Sequence, residues 1–159
     1  MMFIDFAIDP LDRVLSPLWR SGRQVDLASV SEMDLRYEYF WSRVRLVADE
    51  TDLTAGWGKV PLLDFAATLA TMADSLTRSG VGVMDLTESA ATLTFVRRGD
   101  LVDVHDAQRR SVATCGTAEL LAAVKAFVDK VMTTLSEDHP EIALNKFFRD
   151  LGTVFISEC

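Results

Sequence analysis

His105 and Cys115 are the residues whose types could form a nucleophile–base pair. A thiol becomes a catalytic nucleophile only when a base lies within hydrogen-bond reach of it. The two residues flank one predicted hairpin, and with a turn near Ala107-Gln108 they sit at opposite ends of its strands. At ~3.3 Å per residue, about five residues of strand separate them by roughly 16 Å. The spacing therefore predicts that Cys115 is a small core side chain that function does not require.

Asp85 and Glu88 form the most concentrated carboxylate cluster, beside the hydroxyl groups of Thr87 and Ser89 in "MDLTESA". Paired carboxylates can act as general acid and base. A turn between strands uses the same residue types for local backbone hydrogen bonds, and this interpretation is favoured. Asp85 and Glu88 remain the candidate polar site.

Other signatures of chemistry are missing from the sequence. No Walker loop, GxGxxG, HExxH or GxSxG motif occurs. The acidic loop with Asp49, Glu50 and Asp52 lacks the ligand spacing and the distal bidentate glutamate of a calcium loop. Cys115 and Cys159 are too far apart in sequence to suggest zinc or a disulfide framework. We therefore expect no catalytic residue, no metal and no cofactor, and a chain that is not an enzyme.

The stretch "RYEYFWSRVRL" falls in a strand predicted from Asp34 to about Ala48, and its alternation changes phase halfway. Apolar residues occupy odd positions first and even positions later: Tyr37, Tyr39 and Trp41, then Val44 and Leu46. Because side chains alternate between the two faces of a strand, a regular strand cannot bury both sets on one side.

The phase change has two explanations, which the sequence leaves open. A bulge near residues 42–43 would bring both apolar sets into phase and bury all of them. A regular strand would instead leave an outer row in solvent, made of Tyr37, Tyr39, Trp41, Arg43 and Arg45. Tyrosine, tryptophan and arginine dominate the energetics of protein interfaces, so this row is the candidate partner-binding surface.

The elements that must position these residues follow from periodicity. Apolar stripes with i, i+3, i+4, i+7 spacing predict helices over 61–79, 117–137 and 140–151. Alternating segments predict strands in "MFIDFAI" and then in "VGVMDLTE", "ATLTFVRR", "LVDVHD" and "RRSVATC". Gly99-Asp100 suits a two-residue hairpin turn, which needs a positive φ at its first position. Residues 11–32 are predicted to be irregular, apart from a helical turn near their start.

This order of elements predicts an α+β fold with one antiparallel sheet of about five to six strands and three helices packed mainly on one face. At 159 residues and 49% hydrophobic composition, the chain can bury a real core, and a single domain over 1–159 is predicted. The expected core residues are Phe65, Leu69, Leu93, Phe95, Val104, Val124, Phe127 and Phe148.

Charge and hydropathy limit the partners. A net charge of −8 argues against nucleic-acid binding, which needs a basic face, and suits a basic protein partner. No apolar run approaches the ~18 residues needed to cross a bilayer. The N-terminus carries Asp5 and Asp9 where a secretory signal would be basic and then apolar. We therefore expect no membrane partner and a cytoplasmic location.

The segments "VPLLDFAATL" and "DLTESAATLTFVRRGDLVDV", followed by the paired C-terminal helices, resemble uncharacterised single-domain proteins of actinobacteria. In size, acidity and order of elements, the chain also resembles the immunity proteins encoded beside polymorphic toxins. This resemblance implies a non-catalytic binding protein that neutralises a toxin or other basic protein partner by surface occlusion. It assigns no functional residue. The alternative is a small-molecule-binding or regulatory α+β domain with its ligand between the helices and the sheet.

Overall fold

The computed structural model describes residues 2–15, 18–19, 25–86 and 91–153, which form an α+β fold with two antiparallel sheets. The first sheet contains β1 (Met2–Ala7), β2 (Trp41–Ala48), β3 (Thr51–Asp52) and β4 (Lys59–Pro61). The second sheet contains β5 (Val81–Leu86), β6 (Ala91–Arg98), β7 (Leu101–Asp106) and β8 (Ser111–Gly116), in that order. The α-helices are α1 (Pro10–Leu15), α2 (Glu32–Glu38), α3 (Leu62–Ser79), α4 (Thr117–Asp138) and α5 (Lys146–Thr153).

Helix α3 explains why two sheets form where the sequence predicted one. Residues 62–70, 72, 73 and 76 of this helix are all buried, so it is covered on nearly every side. A helix of this kind belongs in an interior and needs apolar cover from more than one layer. It contacts β2 and β4 of the first sheet and β5 and β6 of the second, while α4 contacts β1 and β8. The α+β class is confirmed, and the single sheet of five to six strands is replaced by two sheets of four strands each.

Gly82 marks the closest approach between β5 and α3. A Cβ atom at this position would lie 2.5 Å from the backbone oxygen of Met72 and 2.8 Å from its Cγ. Interiors are packed too densely for the helix backbone to move aside without disturbing its other neighbours. The distance between the second sheet and α3 therefore depends on a residue without a side chain.

We expect Gly82→Ala to lower the free energy of unfolding by about 1–3 kcal/mol, because the added methyl group overpacks this contact. Gly116→Ala is the matched control, since its Cβ would meet only Glu119 Cβ at 3.6 Å. Gly116 is an N-cap, where alanine is less favourable than glycine and lowers stability. Alanine also reduces the conformational entropy of the unfolded chain, which raises stability. Because the two effects oppose each other, we expect a change below about 1 kcal/mol. Urea unfolding followed by circular dichroism gives both values, and equal losses would contradict the close-approach argument.

The strand predicted from Asp34 to Ala48 is wrong in its first half. Residues 32–38 form helix α2, whose N-cap Ser31 accepts a hydrogen bond from the backbone N–H of Asp34 at 3.2 Å. Strand β2 begins only at Trp41. The phase change therefore marks a transition from helix to strand, because the cap and the helical turn override the local alternation. The bulge offered from the sequence is wrong, because β2 pairs in regular register with β1 and β4. The regular strand is right for its second half, where Trp41, Arg43 and Arg45 point outward, and wrong for Tyr37 and Tyr39.

The transition itself is made at Phe40, whose φ is 58°. Such a conformation is uncommon for a residue with a large side chain and persists only where its surroundings hold it. Here the Phe40 N–H donates to the carbonyl of Leu18 at 3.2 Å, and its own carbonyl accepts from the N–H of Leu62 at 3.0 Å. The ring packs edge-on against Trp19, with centroids 4.9 Å apart. These contacts turn the chain and place Phe40 in the core.

The third predicted helix, 140–151, is interrupted. Residues Pro140–Leu144 form a 3-10 helix, and α5 then begins at Lys146 and continues to Thr153. The interruption falls at Asn145, which is buried and has extended backbone geometry. Asparagine favours such breaks because its side chain can bond to backbone groups in place of the helix.

The Asn145 side chain joins this break to the segment before α2. Its Nδ2 donates to the carbonyls of Leu27 and Val30 at 2.9 and 3.0 Å. Its Oδ1 accepts from the backbone N–H groups of Phe147 and Phe148 at 3.0 and 3.4 Å, which caps α5. One side chain thus satisfies groups from two distant parts of the chain.

Removing this side chain in Asn145→Ala should lower the free energy of unfolding by about 2–4 kcal/mol, because buried carbonyl and N–H groups lose their partners. The neighbouring Lys146 is exposed and, within the described part of the chain, forms an ion pair with Asp150 alone, so Lys146→Ala should change stability by less than about 0.5 kcal/mol. Chemical denaturation of both variants measures the difference. A loss at Asn145 as small as the one at Lys146 would show that the four bonds contribute little.

The remaining predictions of elements are confirmed. The helices predicted over 61–79 and 117–137 correspond to α3 and α4, although Pro61 precedes α3 instead of opening it. The turn at Gly99 has a φ of 62°, and all eight expected core residues are buried. Residues 11–32 are partly helical, since they contain most of α1, and residues 16–17 and 20–24 lie outside the described ranges. Among the helices described here, none is both long and apolar enough to cross a membrane.

Candidate functional site

The predicted partner-binding row is divided between three environments. Tyr37 is half-buried on α2, and Tyr39 is fully buried in the core. Trp41, Arg43 and Arg45 do share one face of β2, the first half-buried and the other two exposed. The structure thus separates the tyrosines from the arginines, and it removes Tyr39 from any partner surface because that residue is fully buried.

The two arginines line a groove of about 650 Å³ on the outer face of the first sheet. Across the sheet, Arg43 pairs with Ala7 and Arg45 pairs with Asp5, so these residues form the floor together with Phe3. The loop from residue 54 to residue 58, between β3 and β4, forms one wall. We call this site the arginine groove.

The charges in the arginine groove are unequally paired. Arg45 lies 3.6 Å from the carboxylate of Asp52 and also over the ring of Phe3, 5.8 Å from its centroid. Asp5 forms an ion pair with Lys130 of α4. Arg43 is exposed and forms no ion pair with any residue in the described ranges. Of the two groove arginines, Arg43 is therefore the one without an ion-pair partner among the described residues.

The wall of the arginine groove is held from both sides. The backbone N–H of Leu46 on β2 donates to Thr54 Oγ1 at 3.1 Å. From the turn between β7 and β8, the guanidinium of Arg109 donates to the carbonyl of Ala55. The Trp57 ring packs edge-on against a buried phenylalanine ring of α3, 6.2 Å away. The groove is therefore shaped by contacts from both sheets and from α3.

A second surface lies on the side of the second sheet that faces away from α3. Positions 81, 83 and 85 of β5, the even positions 92–98 of β6, the odd positions 101–105 of β7 and the even positions 112–116 of β8 point outward. Four large apolar residues are exposed on it: Val81 (43%), Val83 (49%), Leu101 (43%) and Val112 (56%). We call this surface the open face.

Charge on the open face is largely neutralised within it. Arg98 forms an ion pair with Asp103, and Thr114 Oγ1 donates to the same carboxylate at 3.0 Å. The hydrogen bond from Arg98 and then that from Thr114 lower the pKa of Asp103 to about 2. Asp85 of the candidate polar site is exposed on this face, on the edge strand β5. Its predicted partner, Glu88, lies outside the described residues.

His105 and Cys115 are apart, as predicted, but the turn between their strands and the distance between them differ from the prediction. The turn between β7 and β8 has four residues instead of two, so Cys115 pairs with Val102, and His105 pairs with Val112. The two residues are therefore about three strand positions apart, roughly 10 Å. They also point to opposite faces, since His105 is exposed on the open face and Cys115 is buried. No direct Cys–His pair forms.

Burial, and after it the nearby carboxylate of Glu119, raise the pKa of the Cys115 thiol to about 11. At pH 8 only about a thousandth of this thiol is thiolate, compared with about a quarter of an ordinary cysteine whose pKa is ~8.5. In a Cys159→Ala protein, we therefore expect Cys115 to react with iodoacetamide at least ~100-fold more slowly in the folded state than in urea. The rate should rise as pH approaches 11. Rapid labelling of the folded protein at pH 8 would show an accessible thiolate instead.

The sequence interpretation missed the outward residues of the second sheet. Its strands were recognised from their alternation, and the buried set was identified correctly. The outward set on β5 is also apolar, because Val81 and Val83 occupy the positions that a solvated strand gives to polar residues. Apolar residues on both faces of an edge strand are the signal that could have revealed the open face.

Within the described ranges, no group of three or more His, Cys, Asp or Glu side chains could hold a metal ion. Comparisons of the chain with protein-family models, with curated proteins and with solved structures find no match. The resemblance to immunity proteins therefore stays a prediction, and function has to be argued from the two surfaces.

Proposed function

We propose that this chain is a non-catalytic binding protein that neutralises a basic protein partner, of the toxin class, by covering its surface with the open face. This is the mode of action implied by the resemblance to immunity proteins. We place it in the cytoplasm, where such a protein would meet a toxin made by the same cell. The observation that carries the proposal is the exposed apolar side of the second sheet.

The size and composition of the open face support a protein partner. Four strands spaced ~4.8 Å apart and about six residues long give a surface of about 19 by 20 Å. The exposed apolar residues lie on β5 and on β7 and β8, with Val96 and polar residues of β6 and β7 between them. Exposed apolar side chains gathered on one face of a soluble protein mark a candidate interaction surface. The valines and Leu101 can be dehydrated without leaving polar groups unpaired, and Arg98 and Asp103 already satisfy each other. A partner that covers this face gains hydrophobic contact from its apolar residues. A basic partner could also pair with the exposed carboxylate of Asp85.

The charge of the chain favours a basic partner. Acidic residues exceed basic ones by 24 to 16, which gives the net charge of −8. The resulting field accelerates the approach of a positively charged protein, while the apolar face supplies affinity after contact. The net charge would thus speed association, and the open face would provide the affinity.

Neutralisation can be tested with the product of the neighbouring gene, produced in a heterologous bacterium with and without this chain. We expect the neighbour alone to arrest growth and the wild-type chain to restore it. Val83→Asp combined with Val112→Asp should abolish the rescue, because two charges on the open face would be buried in the complex. Leu144→Asp is the matched control, since Leu144 is also exposed (66%) but lies on the 3-10 helix.

The same variants give a quantitative test with purified proteins. The double variant should bind the neighbour at least ~100-fold more weakly than wild type, whereas Leu144→Asp should bind within about threefold of it. Thermal melting of each variant separates lost binding from lost folding. A neighbour that does not arrest growth, or a folded double variant that still rescues it, would overturn the proposal.

A further inference from the structure

The arginine groove has no part in the proposed contact with a protein partner, since it lies on the first sheet and the open face lies on the second. It has the attributes of a ligand site: about 650 Å³ of volume, apolar surface from Phe3 and Trp57, and a small number of placed charges. It also differs from the ligand site considered from the sequence, because it lies on the outer face of a sheet and not between the sheet and the helices.

Arg43 is the cation of the groove that a ligand could pair with. Arg45 is paired with Asp52, and Asp5 is paired with Lys130. Lys59, the cross-strand neighbour of Arg43 on β4, is held by two carboxylates, Asp9 and Asp12, at 3.3 and 2.5 Å. Arg43 itself forms no ion pair with any residue in the described ranges. A carboxylate on a ligand would give the Arg43 guanidinium the ion-pair partner that these residues do not supply.

The Arg43 guanidinium favours a carboxylate as the charged group of the ligand. Its planar array of N–H donors matches the two oxygens of a carboxylate, which it can bind in a bidentate manner. In the same groove, the aromatic ring of Phe3 (41% exposed), which lies under the Arg45 guanidinium, and the partly buried Trp57 offer apolar surface to the rest of the ligand. An apolar or aromatic body attached to the carboxylate would cover the exposed part of the Phe3 ring.

We propose that the arginine groove binds a small monocarboxylate with an aromatic or apolar body, whose carboxylate pairs with Arg43 and whose body lies against Phe3 and Trp57. The site is independent of the proposed neutralisation, because the groove residues and the open-face residues lie on different sheets. Either function can fail without the other.

Isothermal titration calorimetry with matched probes tests this inference. We expect 2-naphthoate to bind the full chain at least ~10-fold more tightly than 2-naphthamide, which has the same body and no charge, and more tightly than acetate, which has the charge and no body. Arg43→Gln should weaken 2-naphthoate at least ~10-fold and leave 2-naphthamide unchanged. Phe3→Ala should weaken both naphthalene probes.

Arg149→Gln is the matched control, because Arg149 is an exposed arginine on α5, away from the groove. It should bind 2-naphthoate as wild type does. Equal affinity for the acid and the amide, an equal effect of the two arginine substitutions, or no binding of 2-naphthoate up to its solubility limit would each overturn the inference. Circular dichroism of the variants confirms that they are folded, and the growth-rescue assay is expected to be unaffected by Arg43→Gln.

Discussion

The fold depends on the burial of α3 on nearly all of its sides. This helix is rich in alanine and leucine, and it carries a buried carboxylate, Asp64, that accepts a hydrogen bond from Arg36 of α2 at 2.7 Å. Two sheets and α4 are needed to remove its surface from water. Small residues permit the close approaches, and Gly82 is the extreme case because its neighbour is the backbone of α3 itself. Changes at these contacts should disturb both sheets at once.

The same constraint explains where function can lie. Each sheet uses one face to cover α3 and α4, so its other face is left to solvent or to a partner. On the first sheet, that face is made into a groove by the loop between β3 and β4, which Arg109 of the second sheet helps to hold. On the second sheet, no described helix covers the outer face, and its valines stay exposed. The two surfaces therefore differ in form: the first is a groove lined by charged residues, and the second is the uncovered face of a sheet with exposed apolar residues.

The two proposed sites place different demands on the chain. Contact with a protein needs area and a surface that loses water easily, which the outward valines provide. Recognition of a small carboxylate needs a cation without an ion-pair partner in a shaped site, and Arg43 forms no ion pair with any residue in the described ranges. An acidic protein can hold both, since the net charge of −8 acts at long range and the Arg43 guanidinium acts only at contact.

The sequence by itself determined the elements whose periodicity is long and regular. Helices α3 and α4, the strands of the second sheet and the turn at Gly99 follow from apolar spacing, and these patterns act locally. Only the tertiary structure decided the rest. The left-handed turn at Phe40 is held by Leu18 and Leu62, and the break at Asn145 by carbonyl groups more than a hundred residues away. Pairing of strands into two sheets, and hence which groove arginine has no ion-pair partner among the described residues, also depends on contacts between distant segments, which local periodicity does not encode.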